Sequence, residues 1–228
     1  MIGVLRSAWL IAEKDLRVES RSRELIYTTL FFAVTAVLIF AFSFVQEDSS
    51  VPAGSASGIL WVTLTFSGTI ALTRTFERER EHDTLRGLLL SPVERPAVYL
   101  GKLMAVLLLL AGVEVVLVPL TGLFFQAPLG RAPWLLAALL ATGTLGFAAV
   151  GTLFAAMLVR ARSRDVLLPV VLFPIIVPVI IAGVRGTNAI FTPEADLAVA
   201  RMWLGMLVSF DAVFLSLALW TCGLLLGE

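Results

Sequence analysis

The chain has 228 residues, 59% of them hydrophobic and 15% charged, with a formal net charge of zero and a mean hydropathy of +0.96. This composition excludes an ordinary soluble domain, and without a basic stripe or stacking platform it gives no support to nucleic-acid binding. One cysteine and one histidine exclude an internal disulfide and predict no metal site, and no catalytic triad, HExxH or phosphate-loop motif occurs. We therefore expect a non-catalytic membrane protein.

The N-terminal segment, residues 1–24, is charged and amphipathic. It mixes five basic with four acidic residues, which is not the pattern of a cleavable signal peptide. Its apolar residues, among them Val4, Trp9 and Leu16, fall mostly on one helical face. The pattern predicts a helix that lies in the membrane interface on the cytoplasmic side, with Trp9 at the level of the lipid headgroups.

Apolar blocks of about 20 residues follow, the length that crosses about 30 Å of hydrocarbon as a helix. Because unpaired backbone groups are too costly in lipid, we expect these blocks to be helices of an all-α membrane protein. Residues 25–228 are then one transmembrane domain. Its six predicted spans are residues 25–45, 57–75, 99–125, 134–159, 166–184 and 203–227.

The basic residues predict the orientation of these spans. Five Lys or Arg lie in the N-terminal segment, six in residues 74–102 and three in residues 160–165, making 14 against three on the other side. Basic residues concentrate on the cytoplasmic side of membrane proteins. Both termini and both later segments are therefore expected to be cytoplasmic, with residues 46–56 outside.

The polar segment between the second and third spans, residues 77–98, combines alternating charges with regularly spaced leucines, which a simple connecting loop does not require. Its alternating charges give a helix little internal ion-pair support and stay available to a partner. Leu85, Leu88 and Leu89 follow at helical spacing, and a leucine face in a cytoplasmic loop favours burial. The pattern predicts a short helix that docks a soluble partner, with a solvated helix end as the alternative. The candidate docking residues are Glu77, Arg78, Glu79, Arg80, Glu81, Asp83, Thr84, Leu85, Arg86, Leu88, Leu89 and Pro92.

The fifth span contains Pro169, Pro174 and Pro178, which predict repeated breaks in its hydrogen-bond ladder and a kinked helix. Such a span can act as a hinge or hold a static bend, and the sequence favours neither. The following residues, 185–201, are longer than the other outside connections and contain an apolar stretch. They predict a short re-entrant or surface helix before the sixth span.

Two carboxylates fall inside predicted spans. Glu114 lies about twelve residues after Lys102, roughly 18 Å of helix rise, which places it near the middle of the bilayer. Asp211 lies about eight residues into the sixth span. Such residues usually face a cavity or a partner, so both are candidates for a polar substrate path, or else single carboxyls bonded to a neighbour. The second span also carries hydroxyls that favour helix packing over ligand binding, namely Thr63, Thr65, Ser67, Thr69 and Thr73.

The loop after the second span resembles the first cytoplasmic loop of ABC-2 type membrane subunits of ATP-binding-cassette exporters. The shared features are the charged run 77–81, Thr84 with Leu85, Leu88 with Leu89, Pro92, and Gly101 with Lys102. Within that group the chain most resembles the CcmB family, through residues 14–24, 58–81 and 85–102. Asp83 stands where many general ABC-2 exporters have glycine, and this difference also favours the CcmB family.

The resemblance implies an ABC-2, type V exporter-like permease whose loop 77–98 contains the helix that couples it to an ATPase. It also implies the function of a permease subunit for cytochrome c biogenesis, in which ATP hydrolysis drives haem delivery or frees a haem-loaded chaperone. The implied partners are two copies of a CcmA-like ATPase, a second copy of this chain, CcmC- and CcmD-like subunits and a CcmE-like chaperone. ATP and Mg would sit on the ATPase and haem on partner subunits, with no cofactor on this chain.

Two other functions fit the sequence less fully. A general ABC-2 exporter of a lipid, drug or polysaccharide would share the loop and differ in its partners. A scaffold or secondary carrier without an ATPase would instead show paired charges or broken spans in matching halves. Only the isolated Glu114 and Asp211 are present, which disfavours a carrier.

Overall fold

The computed structural model describes residues 2–44, 54–75, 95–159, 161 and 163–225. In these ranges all the regular secondary structure is α-helix, as the sequence predicts. The helices are α1 (Ile2–Ser22), α2 (Glu24–Phe44), α3 (Ser55–Thr75), α4 (Arg95–Phe125), α5 (Pro133–Met157), α6 (Arg164–Phe191) and α7 (Leu197–Leu225). The helices α2 to α7 are all long and apolar enough to cross a membrane, so the predicted all-α membrane protein with six spans is confirmed.

The link between α6 and α7 differs from the prediction. Residues 185–201 contain no separate helix, because α6 continues to Phe191 and α7 already begins at Leu197. The Asp196 carboxylate accepts hydrogen bonds from the backbone N–H groups of Ala198 and Val199, both at 3.0 Å, and so caps α7. The apolar stretch that suggested a surface helix is therefore the capped first turn of the last span.

The three prolines of the fifth span do not interrupt it. The helix α6 continues through Pro169, Pro174 and Pro178, although its hydrogen-bond ladder lacks a donor at each of them. The predicted kink of this span stays a prediction. Each proline removes one N–H donor from the ladder. The helix packs against α3, α5 and α7, and such tertiary contacts can keep the turns beside a proline helical.

The helices α3 and α5 form the centre of the bundle, where most of their residues are buried, while at most a third of the residues are buried in the other four spans. Trp61 of α3 is the largest fully buried side chain of this centre. Its ring lies against Gly143 of α5 and Gly183 of α6, where added Cβ atoms would come within 2.1 and 2.4 Å of it. The indole N–H donates to the Thr187 hydroxyl at 3.0 Å, so one side chain joins three helices.

Candidate coupling face and intramembrane carboxyl groups

The predicted docking residues from Glu77 to Pro92 lie outside the described residues, but the helices that flank them do not. The loop leaves α3 at Thr75 and enters α4 at Arg95. Arg74, one residue from the end of α3, lies 3.4 Å from the carboxylate of Glu24 at the start of α2. The start of α2 and the end of α3 therefore share one end of the bundle, which we call the loop-bearing face.

The helix α1 packs against the first turns of α4 at this face. Ala8, Ile11 and Ala12 are buried in the contact. A Cβ at Gly101 would lie 2.7 Å from Cβ of Ile11 and 2.8 Å from the carbonyl oxygen of Ala8. Only glycine lets the two helices approach this closely, which gives a structural reason for the glycine of the Gly101–Lys102 pair.

Lys102 is buried in the same contact, with 2% of its side chain exposed. Its Nζ lies 2.8 Å from Oδ2 of Asp15 on α1, and Oδ1 of Asp15 lies 3.0 Å from Nζ of Lys14. A buried ammonium group costs several kcal/mol unless a partner compensates it. The ion pair therefore fixes α1 to α4 about two turns after the loop ends.

The turn between α1 and α2 is fixed as well. The buried carboxylate of Glu19 accepts hydrogen bonds from the N–H groups of Leu25 and Ile26, at 2.8 and 3.1 Å, in the first turn of α2. Arg23 adopts a φ of 55°, a left-handed conformation that makes the corner. A carboxylate at a helix N-terminus is also favoured by the helix dipole. The orientation of α1 is thus fixed by the ion pair of Asp15 with Lys102 on α4 and by the Glu19 cap on α2.

Sequence reasoning missed the roles of Asp15 and Glu19, although the sequence contained a signal. Both fall on the helical face that also carries Ala8, Ile11 and Ala12, since their spacing of three, four and seven residues returns to one side of a helix. Acidic residues on the apolar face of an amphipathic helix need partners. That pattern could have predicted that both carboxylates have buried partners, but it does not identify Lys102 as one of them.

Glu114 lies on α4, half-buried, and its carboxylate accepts a hydrogen bond from the Thr144 hydroxyl of α5. Thr144 also lines a small cavity of about 10 Å³ beside Trp61, room for roughly one water molecule. In this conformation Glu114 joins two helices. Its proposed place in a substrate path stays a prediction.

Asp211 is buried on α7 against α5, where a Cβ at Gly146 would lie 2.6 Å from its Oδ1. Within the described part of the chain, Oδ1 has no hydrogen-bond partner. Thr144 and Gly146 are two residues apart on α5, a rotation of about 200°. The carboxyls of Glu114 and Asp211 therefore meet α5 on different sides and do not form one site.

The hydroxyls of the second span do not all act between helices. Thr65 and Thr69 donate to carbonyls of their own helix, at 2.7 and 2.8 Å, and Thr73 does so at 2.9 Å. Thr63 and Ser67 are buried, and their hydroxyls have no hydrogen-bond partner among the described residues. The burial of Thr63, Thr65, Ser67 and Thr69 is consistent with the packing role predicted for these residues.

The fold and this face together define a multi-pass α-helical membrane protein whose N-terminal helix is fixed beside a loop between two spans. The chain belongs to the CcmB protein family, whose model matches residues 6–224, which confirms the resemblance seen in the sequence. The match covers α2 to α6, all but the last residue of α7 and most of α1.

Several curated relatives are similar to the chain. It is 30% identical to heme exporter protein B of Rhodobacter capsulatus over 194 residues, which are 82% of this chain and 88% of that protein. It is 29% identical to heme exporter protein B of Paracoccus denitrificans over 175 residues, 77% of this chain and 79% of that one. The match to heme exporter protein B of Escherichia coli K12, 34% identical over 97 residues, spans 42% of this chain and only 44% of the relative.

Proposed function

We propose that this chain is the membrane permease subunit of an ABC transporter complex for cytochrome c biogenesis. In that complex a separate ATPase supplies the energy for haem delivery or for release of a haem-loaded chaperone. The observation that carries the proposal is membership of the CcmB family over residues 6–224, together with relatives named heme exporter protein B. The chain itself is a transporter subunit without catalytic groups of its own.

The contacts at the loop-bearing face suggest how docking on the loop would reach the membrane. An ATPase that moves residues 77–98 displaces the end of α3 and the start of α4, because the loop joins them directly. The pair of Lys102 and Asp15 carries α1 along with α4. Trp61 then links α3 to α5 and α6. Contiguous packed contacts of this kind can transmit motion, and the test of transmission is a measured coupling.

The proposed assembly holds two CcmA-like ATPases, two copies of this chain, CcmC- and CcmD-like subunits and a CcmE-like chaperone in the bacterial inner membrane. Both termini and the loop-bearing face are cytoplasmic, where the ATPase can reach residues 77–98. ATP and Mg bind the ATPase, and haem is the substrate handled by the partner subunits.

The test uses a host whose copy of this chain is deleted and then replaced. Wild-type chain restores the covalent haem of c-type cytochromes, measured by haem staining of membranes, whereas Leu89→Asp does not and loses the co-purifying ATPase. Val199→Asp is the matched control, since it adds the same charge in the exposed first turn of α7 at the other end of the bundle. Normal c-type cytochromes in the deletion strain would overturn the haem role and leave a general ABC-2 exporter.

A further inference from the structure

The helix α1 separates its charges by sign. Two of its three acidic residues point inward, since Asp15 pairs with Lys102 and Glu19 caps α2. The basic side chains of Arg6, Lys14, Arg17 and Arg21 are all exposed. Asp15 also contacts Lys14 at 3.0 Å, so it is shared between Lys14 and the buried Lys102. Counting the four exposed cations and Lys102 against Glu13 and Asp15 leaves this side of α1, its outer face, with a charge of +3.

The same outer face carries exposed apolar side chains. Leu5 is 59% exposed, Trp9 52%, Leu10 56% and Val18 44%. An open groove of about 290 Å³ runs between the two kinds of side chain and is lined by Leu10, Glu13, Lys14, Arg17, Val18 and Arg21. Across this groove, Arg17 also pairs with Glu13 at 2.6 Å. A ligand that fits it has an anionic group beside a hydrocarbon portion.

We propose that the outer face of α1 binds anionic phospholipid, with the headgroup phosphate at Lys14, Arg17 and Arg21 and the acyl chains against Leu10 and Val18. The position of α1 supports this occupant, because Glu24 begins the first span only two residues after α1 ends. The face therefore lies at the level where spans leave the bilayer. An acidic protein surface would match the cations but would set polar groups against Trp9 and Leu10.

The experiment compares lipid binding to the purified full chain in neutral detergent. Native mass spectrometry measures bound phosphatidylglycerol against bound phosphatidylcholine of the same acyl chains. The test variant is Arg17→Gln with Arg21→Gln. The matched control is Arg185→Gln with Arg201→Gln, which removes two exposed cations at the other end of the bundle. Thermal melting of each variant checks that it is folded.

We expect the wild-type chain to prefer phosphatidylglycerol and the test variant to lose about 30-fold of that preference, at roughly fivefold per cation near an anionic surface. The control variant should stay within about twofold of wild type. Equal losses in both variants, or none in either, would overturn the proposal. Displacement of the lipid by inorganic phosphate would make the groove a phosphate site and overturn it too.

A protein occupant predicts a different result. If the wild-type chain showed no lipid preference and the test variant lost its co-purifying ATPase, the face would be a protein-docking surface and the lipid proposal would be wrong. This outcome is independent of the haem-staining experiment, which tests the permease role with the deletion strain and the Leu89→Asp variant. Either proposal can therefore fail without the other.

Discussion

At the scale of single residues, the described contacts depend on a few positions at which a substitution is expected to disturb the packing. Gly143 and Gly183 hold the ring of Trp61, and Gly101 lets α1 reach α4. Lys102 lies in a buried contact with Asp15 opposite it. Composition cannot distinguish these residues from the other glycines and charges of the chain, since their importance comes from a neighbour far along the sequence.

Gly143→Ala is expected to destabilise the bundle by about 1–3 kcal/mol, because the new Cβ would lie 2.1 Å from the Trp61 ring and force it aside. The measurement is the free energy of unfolding in mixed detergent micelles. Gly205→Ala is the control, since nothing lies within 4 Å of a Cβ there and alanine favours helix. A Gly143→Ala variant as stable as the control would contradict the described packing around Trp61.

Lys102→Met is expected to cost about 3–5 kcal/mol, because it leaves the Asp15 carboxylate without its buried partner. The same unfolding measurement checks this value. Lys14→Met removes an amine from the same carboxylate, but at a site 53% exposed, and should cost at most about 1 kcal/mol. Similar losses in the two variants would show that the buried ion pair of Lys102 stabilises the fold no more than the exposed pair of Lys14 does.

At the scale of elements, the sequence predicted the number and type of helices well and their ends less well. Apolar length alone located all six spans, since lipid allows little but helix. The prediction failed at residues 185–201, where an apolar stretch after a polar one looked like a separate helix. Asp196 was the missed signal, because an aspartate just before a helical run is a typical N-cap. The α1–α4 contact could not be predicted from local pattern, since Asp15 and Lys102 lie 87 positions apart in the sequence.

The cap itself can be tested at this scale. Asp196→Ala should lower the free energy of unfolding by about 1 kcal/mol, because the N–H groups of Ala198 and Val199 lose their acceptor. Asp196→Asn keeps an acceptor oxygen and should recover most of the loss. Amide hydrogen exchange in the first turn of α7 provides a local readout. Unchanged exchange in Asp196→Ala would show that the cap does not hold this turn.

At the scale of the whole molecule, coupling depends on α1 and α4 moving as one unit beside the loop that the ATPase is proposed to bind. The pair of Lys102 and Asp15 lies beyond residues 77–98, so breaking it should leave docking intact and weaken the transmission of motion into the spans. Loss of Leu89, by contrast, should remove docking itself. The two defects are distinguishable because co-purification reports docking, while covalent haem reports the outcome of transport.

We therefore predict that Lys102→Asp still co-purifies with the ATPase yet lowers covalent haem about tenfold or more, since two carboxylates then face each other in a buried contact. Exchanging the charges, Lys102→Asp together with Asp15→Lys, should restore a good part of the haem signal. In this double variant opposite charges face each other again, a cation on α1 and an anion on α4. Rescue by the double variant would show that the loss in Lys102→Asp comes from the broken ion pair. If the loss came from a general folding defect, the second substitution would lower the haem signal further. Membrane levels of each variant provide the necessary reference. If the exchanged pair were as inactive as the single variant at equal levels, the contact between α1 and α4 would not transmit coupling through its charges.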